Sequence, residues 1–307
     1  MGLEFFAAHK TRQMRAAWEN AEVDRKPELK MVRTADQELA VWEWAGAGPA
    51  ILFAHATGFH GRCWDRIIQM FPERHCLAVD ARGHGRSSKP EPPCHWRDFG
   101  RDLVAVAAHW DLRGATGVGH SMGGHITTQV AALRPETYRA LLLVDPTIFP
   151  LEYYGTEPPD AHFTLRRRNV WNSPDEMFER FKNRMPFANW RPEILHDYCE
   201  YGLLPNNGDF VLACPPAVEA SIYLNSKEPG SNIYPEVAMV GHPVVVMRAG
   251  KTRNPEIFDL SASPTAPDLA SHFACGREIV LPDASHFIAM EAPERVAEEI
   301  RALEFSL

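Results

Sequence analysis

Short, continuous apolar runs alternate with segments whose apolar positions recur every three or four residues along most of this chain. The runs are 49–55 (PAILFAH), 75–80 (HCLAVD), 115–120 (ATGVGH), 138–146 (YRALLLVDP), 242–250 (HPVVVMRAG) and 277–282 (REIVLP). Apolar runs of this length, closed by Gly, Pro or Asp, predict strands buried on both faces. The helical period between them predicts helices over 62–71, 97–110, 121–134, 264–273 and 293–305, the last opening on Pro293. Residues 4–24 carry the same amphipathic period. Two further segments, 29–34 (LKMVRT) and 38–44 (ELAVWEW), predict a hairpin turning at 35–37. The chain therefore reads as α/β: a mostly parallel eight-stranded sheet with helices on both faces and the hairpin as an antiparallel edge.

Residues 147–240 break this rhythm. They are rich in aromatic, proline and charged residues and show no clear strand before Val244, so a helical insertion is expected there. It would cap a core made of 1–146 and 241–307. Its aromatic residues, among them Phe149, Phe163, Trp171, Phe187, Trp190 and Tyr198, fit the core of that cap one by one. Together they hint at an apolar or aromatic small-molecule substrate. The run LRRR (165–168) reads as a solvated helix face, with binding of an acidic group as the alternative.

Composition excludes more than it selects. Hydrophobic residues make up 45% and charged residues 23%, an ordinary globular balance. The formal net charge of -8 leaves no basic footprint for nucleic acid or an anionic membrane. No apolar stretch reaches the 18 or so residues of a membrane span. The first residues lack a signal-peptide core, and Phe6 stands where a myristoylation signal has Ser or Thr. The 6 cysteines are scattered without a CxxC pair, which implies reduced thiols and a cytoplasmic protein. No HExxH or other compact metal pattern occurs, so neither metal nor cofactor is expected. The sequence does not set the oligomeric state.

The candidate chemistry starts at VGHSMGG (118–124). A strand ending at His120 and a helix opening near Ser121 put this serine on a tight strand-to-helix turn. Gly119 and Gly123 complete G-x-S-x-G, where glycine is needed because side chains at those two places would meet the neighbouring strand and helix. Such a turn exposes Oγ and aims the Met122 N–H and the helix N-terminus at a developing anion. A dinucleotide-binding turn fits poorly, since Met122 occupies the place of its third glycine.

Three more segments join it in order: HATGFHGRCW (55–64), DARGHGRSS (80–88) and DASHF (283–287). With GHSMGG (119–124), they resemble the α/β-hydrolase superfamily over residues 30–303. The resemblance implies a nucleophile at Ser121 and a general base at His286. It implies an oxyanion hole from the backbone N–H groups of Thr57 and Met122, with Ala56 replacing the usual glycine. It gives His55, Asp80, Arg82 and His84 bracing roles.

The third member of the triad departs from the pattern. The family's usual acid position, within RAGKTRN (248–254), holds Arg253. A guanidinium cannot accept the imidazole N–H, and its charge opposes imidazolium formation. The superfamily's second acid position, the end of the strand after the nucleophile helix, holds Asp145. Asp145 is therefore the expected acid, with Glu256 and Asp259 as alternatives. The implied reaction is hydrolysis of a carboxylic ester or lactone through an acyl-enzyme. A carbon–carbon bond hydrolase, a prolyl-type peptidase and a non-catalytic ligand-binding protein of this fold stand as alternatives.

Overall fold

The alternation of apolar runs and amphipathic segments builds a single large sheet with helices on both sides. The computed structural model describes residues 25–251 and 259–305. The expected helix over 4–24, Arg253 and the alternative acid Glu256 thus lie outside the described residues. The sheet takes β1 (Glu28–Arg33), β2 (Glu38–Trp44), β3 (Ala47–Ala54), β4 (Arg74–Val79), β5 (Ala115–His120), β6 (Tyr138–Val144), β10 (Pro243–Ala249) and β11 (Cys275–Leu281). Their order is β1-β2-β4-β3-β5-β6-β10-β11. The β1–β2 and β2–β4 pairs are antiparallel, and the rest of the sheet is parallel. Successive residues in the central strands face opposite cores. Leu52, Leu141 and Leu143 pack on one side with α2 (Trp96–His109) and α3 (Met122–Leu133). Ile51, Phe53 and Leu142 pack on the other with α1 (Asp65–Ile68) and the C-terminal helix.

Two expectations are corrected. The insertion after β6 is not purely helical. It holds α4 (Pro174–Phe181), α5 (Pro192–Tyr201), α6 (Pro216–Leu224) and α7 (Tyr234–Met239), together with an antiparallel three-stranded sheet. That sheet comprises β7 (Val170–Trp171), β8 (Leu203–Asn206) and β9 (Asp209–Leu212) in the order β7-β9-β8. Its hairpin turns on Asn207 and Gly208, both at positive φ (49° and 93°), the geometry an Asn-Gly pair favours. The helix expected over 264–273 is only a short 3-10 turn, Leu269–His272. Pro264 and Pro267 remove donors there, and the Ser263 and Thr265 hydroxyls bond to Asp145 instead. Beyond β11 the chain forms α8 (Ile288–Glu291) and α9 (Pro293–Phe305).

Candidate active site

Ser121 sits between the last residue of β5 and the first of α3, at φ 57° and ψ −118°. A non-glycine residue there is strained and must be held by its surroundings. Its N–H donates to Val144 O at 3.0 Å. A Cβ on Gly119 would lie 2.3 Å from Gly123 O, and one on Gly123 would lie 2.0 Å from Ala54 O. Both glycines are sterically required, because backbone cannot give way as a flexible side chain can.

Strand register then gathers the other groups. His120 pairs with Val144, and Val144 with Met247, so the residues after β5, β6 and β10 emerge on one sheet edge. Asp145 is fully buried there. Its Oδ1 accepts the Ala249 N–H at 2.9 Å, the Ser263 hydroxyl at 2.6 Å and the Thr265 hydroxyl at 3.3 Å. Its Oδ2 lies 2.6 Å from His286 Nδ1, and His286 Nε2 lies 2.9 Å from Ser121 Oγ. An ionised carboxylate only accepts, so Nδ1 carries the ring proton and Nε2 accepts from Ser121. The serine's one proton is then used on His286. The Thr147 hydroxyl, 3.0 Å from Ser121 Oγ, must be the donor in that contact.

The alternative acid Asp259 is held elsewhere. Its carboxylate pairs with Lys251 Nζ at 2.8 Å and accepts the Ser261 N–H and hydroxyl at 2.8 Å and 2.6 Å. The Lys251 and Ser261 contacts pull its pKa down to about 2. The structure brings Asp145 to His286 and does not bring Asp259 there.

Thr57 and Met122 meet beside Ser121, with Thr57 Oγ1 at 3.4 Å from Met122 Sδ. Among the described residues neither backbone N–H donates to a protein acceptor. The Thr57 turn is braced from below by two histidines. His55 Nδ1 donates to Ala56 O at 2.7 Å while its Nε2 accepts the Ala81 N–H at 2.9 Å. His84 Nδ1 donates to Arg82 O at 2.9 Å while its Nε2 accepts the Gly58 N–H at 3.0 Å. Asp80 accepts the N–H groups of Gly61 and Arg86, and Arg82 forks onto Asp102. Burial lowers the pKa of both histidines; the neutral ring is the form that can donate at one nitrogen and accept at the other.

Two groups near the centre were not singled out in the sequence. Thr147 is one. The other is His120, whose Nε2 donates to His286 O at 2.8 Å and so fixes the backbone of the histidine loop. For His120 the available signal was its place as the x of G-x-S-x-G. For Thr147 it was proximity to Asp145.

Two adjoining cavities open at this edge. The smaller, about 210 Å³, is lined by Ser121, His286, Thr147 and Phe149 among others. The larger, about 390 Å³, lies under the insertion and is lined by Phe163, Trp171, Phe187, Trp190 and Tyr198. Thr57, Phe59, Tyr223, Leu260 and Phe287 border both. At the wall of the larger cavity the LRRR run divides. Arg167 turns inward to a buried ion pair with Glu219 and bonds Tyr198 Oη at 3.1 Å. Arg168 pairs with Glu176 at 2.5 Å.

Comparison with known proteins agrees with this architecture. A model of the alpha/beta hydrolase family matches residues 51–299. The 2-(acetamidomethylene)succinate hydrolase of Mesorhizobium japonicum is 28% identical over 256 residues, covering 81% of this chain and 85% of that protein. The type I acyl-CoA thioesterase mpaH of Penicillium roqueforti is 34% identical over 167 residues, covering 48% of this chain and 38% of that protein. Among solved structures, an E-2-(acetamidomethylene)succinate hydrolase superposes with a TM-score of 0.70 at 20% identity, covering 90% of this chain and 98% of that one. The thioesterase domain of the curacin biosynthetic pathway superposes with a TM-score of 0.70 at 18% identity, covering 90% and 99%. At such identities the superpositions speak for the fold alone, whereas the family match spans most of the sequence. This chain belongs to the alpha/beta hydrolase family.

Proposed function

We propose that the protein is a serine hydrolase that cleaves a carboxylic ester or lactone of an apolar or aromatic small molecule through an acyl-enzyme. The observation that carries this reading is the unbroken hydrogen-bond chain from Asp145 through His286 to Ser121. Ser121 Oγ attacks the carbonyl carbon as its proton passes to His286 Nε2. Asp145 holds the ring by Nδ1–H and stabilises the imidazolium. The carbonyl oxygen becomes an oxyanion, received by the Thr57 and Met122 N–H groups, each worth on the order of 3 kcal/mol in the transition state. The tetrahedral intermediate collapses with loss of the alkoxide, which takes the proton from His286. Water then gives a proton to His286 as its oxygen attacks the acyl carbon. Collapse of the second tetrahedral intermediate expels Ser121 Oγ, which takes the proton back from His286, and releases the acid. The insertion over 147–240 serves as the cap that keeps this step away from bulk water.

A fluorophosphonate probe tests the nucleophile: wild-type protein is labelled and Ser121→Ala is not. Absence of labelling in the wild type would favour a non-catalytic binding protein. A panel of aryl esters, lactones, acyl thioesters, aminoacyl amides and vinylogous diketones then separates ester hydrolysis from thioester, amide and carbon–carbon cleavage. Turnover confined to the diketones would overturn the ester assignment.

A further inference from the structure

The larger cavity has a charge character opposite to that of the chain. The protein carries a formal net charge of -8, yet this cavity is lined by Arg167, Arg168, Arg180 and Arg184, with Glu219 as the only acidic residue among the described residues that line it. Two of the guanidinium groups are neutralised locally. Arg167 is paired with Glu219, a residue 4% exposed. Arg168 is paired with Glu176 and lies 4.3 Å over the Trp171 ring. Arg180, near the end of α4, and Arg184, just beyond it, make no ion pair or side-chain hydrogen bond among the described residues. Among the described residues, two cations without a paired anion thus stand at the wall of a mostly aromatic chamber.

An aromatic wall connects them to the reacting centre. Phe181, beside Arg180, stacks on Phe187 with ring centres 4.5 Å apart. Phe187 meets Trp190 at 4.8 Å, and Trp190 meets Phe59 at 5.6 Å. Phe59 also borders the cavity that holds Ser121 and His286. A ligand reaching from Ser121 to the arginines would therefore lie against rings for most of its length and end on positive charge. A wholly neutral ligand would gain only the first contact. A ligand with an anion at that end also gains charge-assisted hydrogen bonds, the stronger kind.

We infer that the substrate carries an anionic group on an apolar or aromatic arm, and that Arg180 and Arg184 bind that group in the larger cavity. This rests on the ester-hydrolase reading above.

Two matched ester series test it, read as kcat/KM. The first compares para-nitrophenyl hexanoate with the para-nitrophenyl monoester of adipic acid, placing the anion on the acyl arm. The second compares para-butylphenyl acetate with its terminal-carboxylate counterpart, placing it on the leaving group. In one series the anionic ester is expected to be preferred about tenfold. That preference should collapse in R180Q/R184Q, whose side chains are exposed and whose loss spares the fold. The responding series identifies which arm occupies the chamber. R166Q, a change of the same charge at an exposed position outside both cavities, should retain the preference. Equal rates within both series, a preference for the neutral esters, or an equal collapse in R166Q would overturn the inference. If neutral esters turn over and Ser121 is labelled, that failure belongs to the anion site alone. If nothing turns over and Ser121 is not labelled, the hydrolase reading itself has failed.

Discussion

His84 Nε2 accepts the backbone N–H of Gly58 at 3.0 Å, so a residue from the loop after β4 holds the turn that carries Thr57. Gly58 sits at φ +81°, and a Cβ there would meet Glu219 Oε1 at 2.8 Å. The turn is thus held at the Gly58 N–H and leaves no room for a side chain at that position. His84→Ala leaves a buried N–H without its partner, which costs about 1–3 kcal/mol of stability. It should also slow fluorophosphonate labelling of Ser121 on the order of tenfold through a misplaced Thr57 donor. Urea unfolding and labelling rates measure the two effects, and wild-type values for both would refute the bracing role.

Asp145→Asn keeps the shape of the acid but presents an amide to His286 Nδ1 in place of an obligate acceptor. The three donors on Oδ1 favour placing the remaining carbonyl oxygen toward them and the NH₂ toward the ring. His286 would then protonate at Nε2 and lose its ability to take the serine proton. The expected loss in ester kcat is on the order of 10⁴-fold. Asp259→Asn weakens a partly exposed pair with Lys251 and the contacts to Ser261, none of which reaches His286 Nδ1, and should stay within about threefold of wild type. A larger loss at Asp259 than at Asp145 would reassign the acid.

How far the sequence could be read depended on the range of the signal. The sheet was legible because its buried strands are continuous apolar runs with fixed punctuation, and Leu141, Leu142 and Leu143 leave little choice of state. Ser121 and His286 were legible because local glycine sterics and a loop before the last helix mark them. Asp145 needed the neighbouring strand to place it. The small sheet in the insertion was missed because β7 has only two residues and β8 carries a proline, Pro205, within its four residues, although Asn207–Gly208 was a usable hairpin signal. The segment 264–273 was misread because helical periodicity does not reveal that Ser263 and Thr265 serve a buried carboxylate in another strand's loop. The inward turn of Arg167 depends on Glu219, more than fifty positions away in the chain, and no local pattern encodes it.

Thr147 donates to a lone pair of Ser121 Oγ, leaving the serine proton directed at His286 Nε2. Thr147→Val is nearly isosteric and removes that donor. Loss of one neutral hydrogen bond of this kind, about 1 kcal/mol, should lower ester kcat roughly fivefold. Thr147→Ser retains the hydroxyl and should restore most of the rate. The pH profile of kcat separates this from a packing effect, because a freer serine–histidine contact changes the apparent pKa of the rising limb. A loss in the Ser variant with wild-type rates in the Val variant would show that the methyl group, not the hydroxyl, matters.

Five buried histidines make the fold sensitive to acid. Burial lowers the pKa of His60, His120 and His125 to about 3, and depresses His55 and His84 as well. In the unfolded chain each returns to about 6.5. Between those values the unfolded state holds a proton that the folded state lacks, so stability falls as pH falls. For His60, His120 and His125 the loss runs from about pH 6.5 down to about 3, and His55 and His84 add to it in the same direction. Asp197 runs the other way: burial and the nearby Asp65 raise its pKa to about 7, so a penalty present above 7 is relieved on acidification. Burial raises Asp102 and Glu219 in the same sense, and five histidines against these three carboxyls leave a net loss. Stability is expected to fall as pH drops below 6.5. Urea midpoints at pH 7.5, 6.5 and 5.5 should therefore drop steeply over the last interval. His125→Gln should flatten the slope by about one proton if it folds, since the ring nitrogens that bond Ser231 O and Gln129 are then replaced by a group that does not titrate. A midpoint that stays level from pH 6.5 to 5.5 would show that these histidines are not held neutral by the fold.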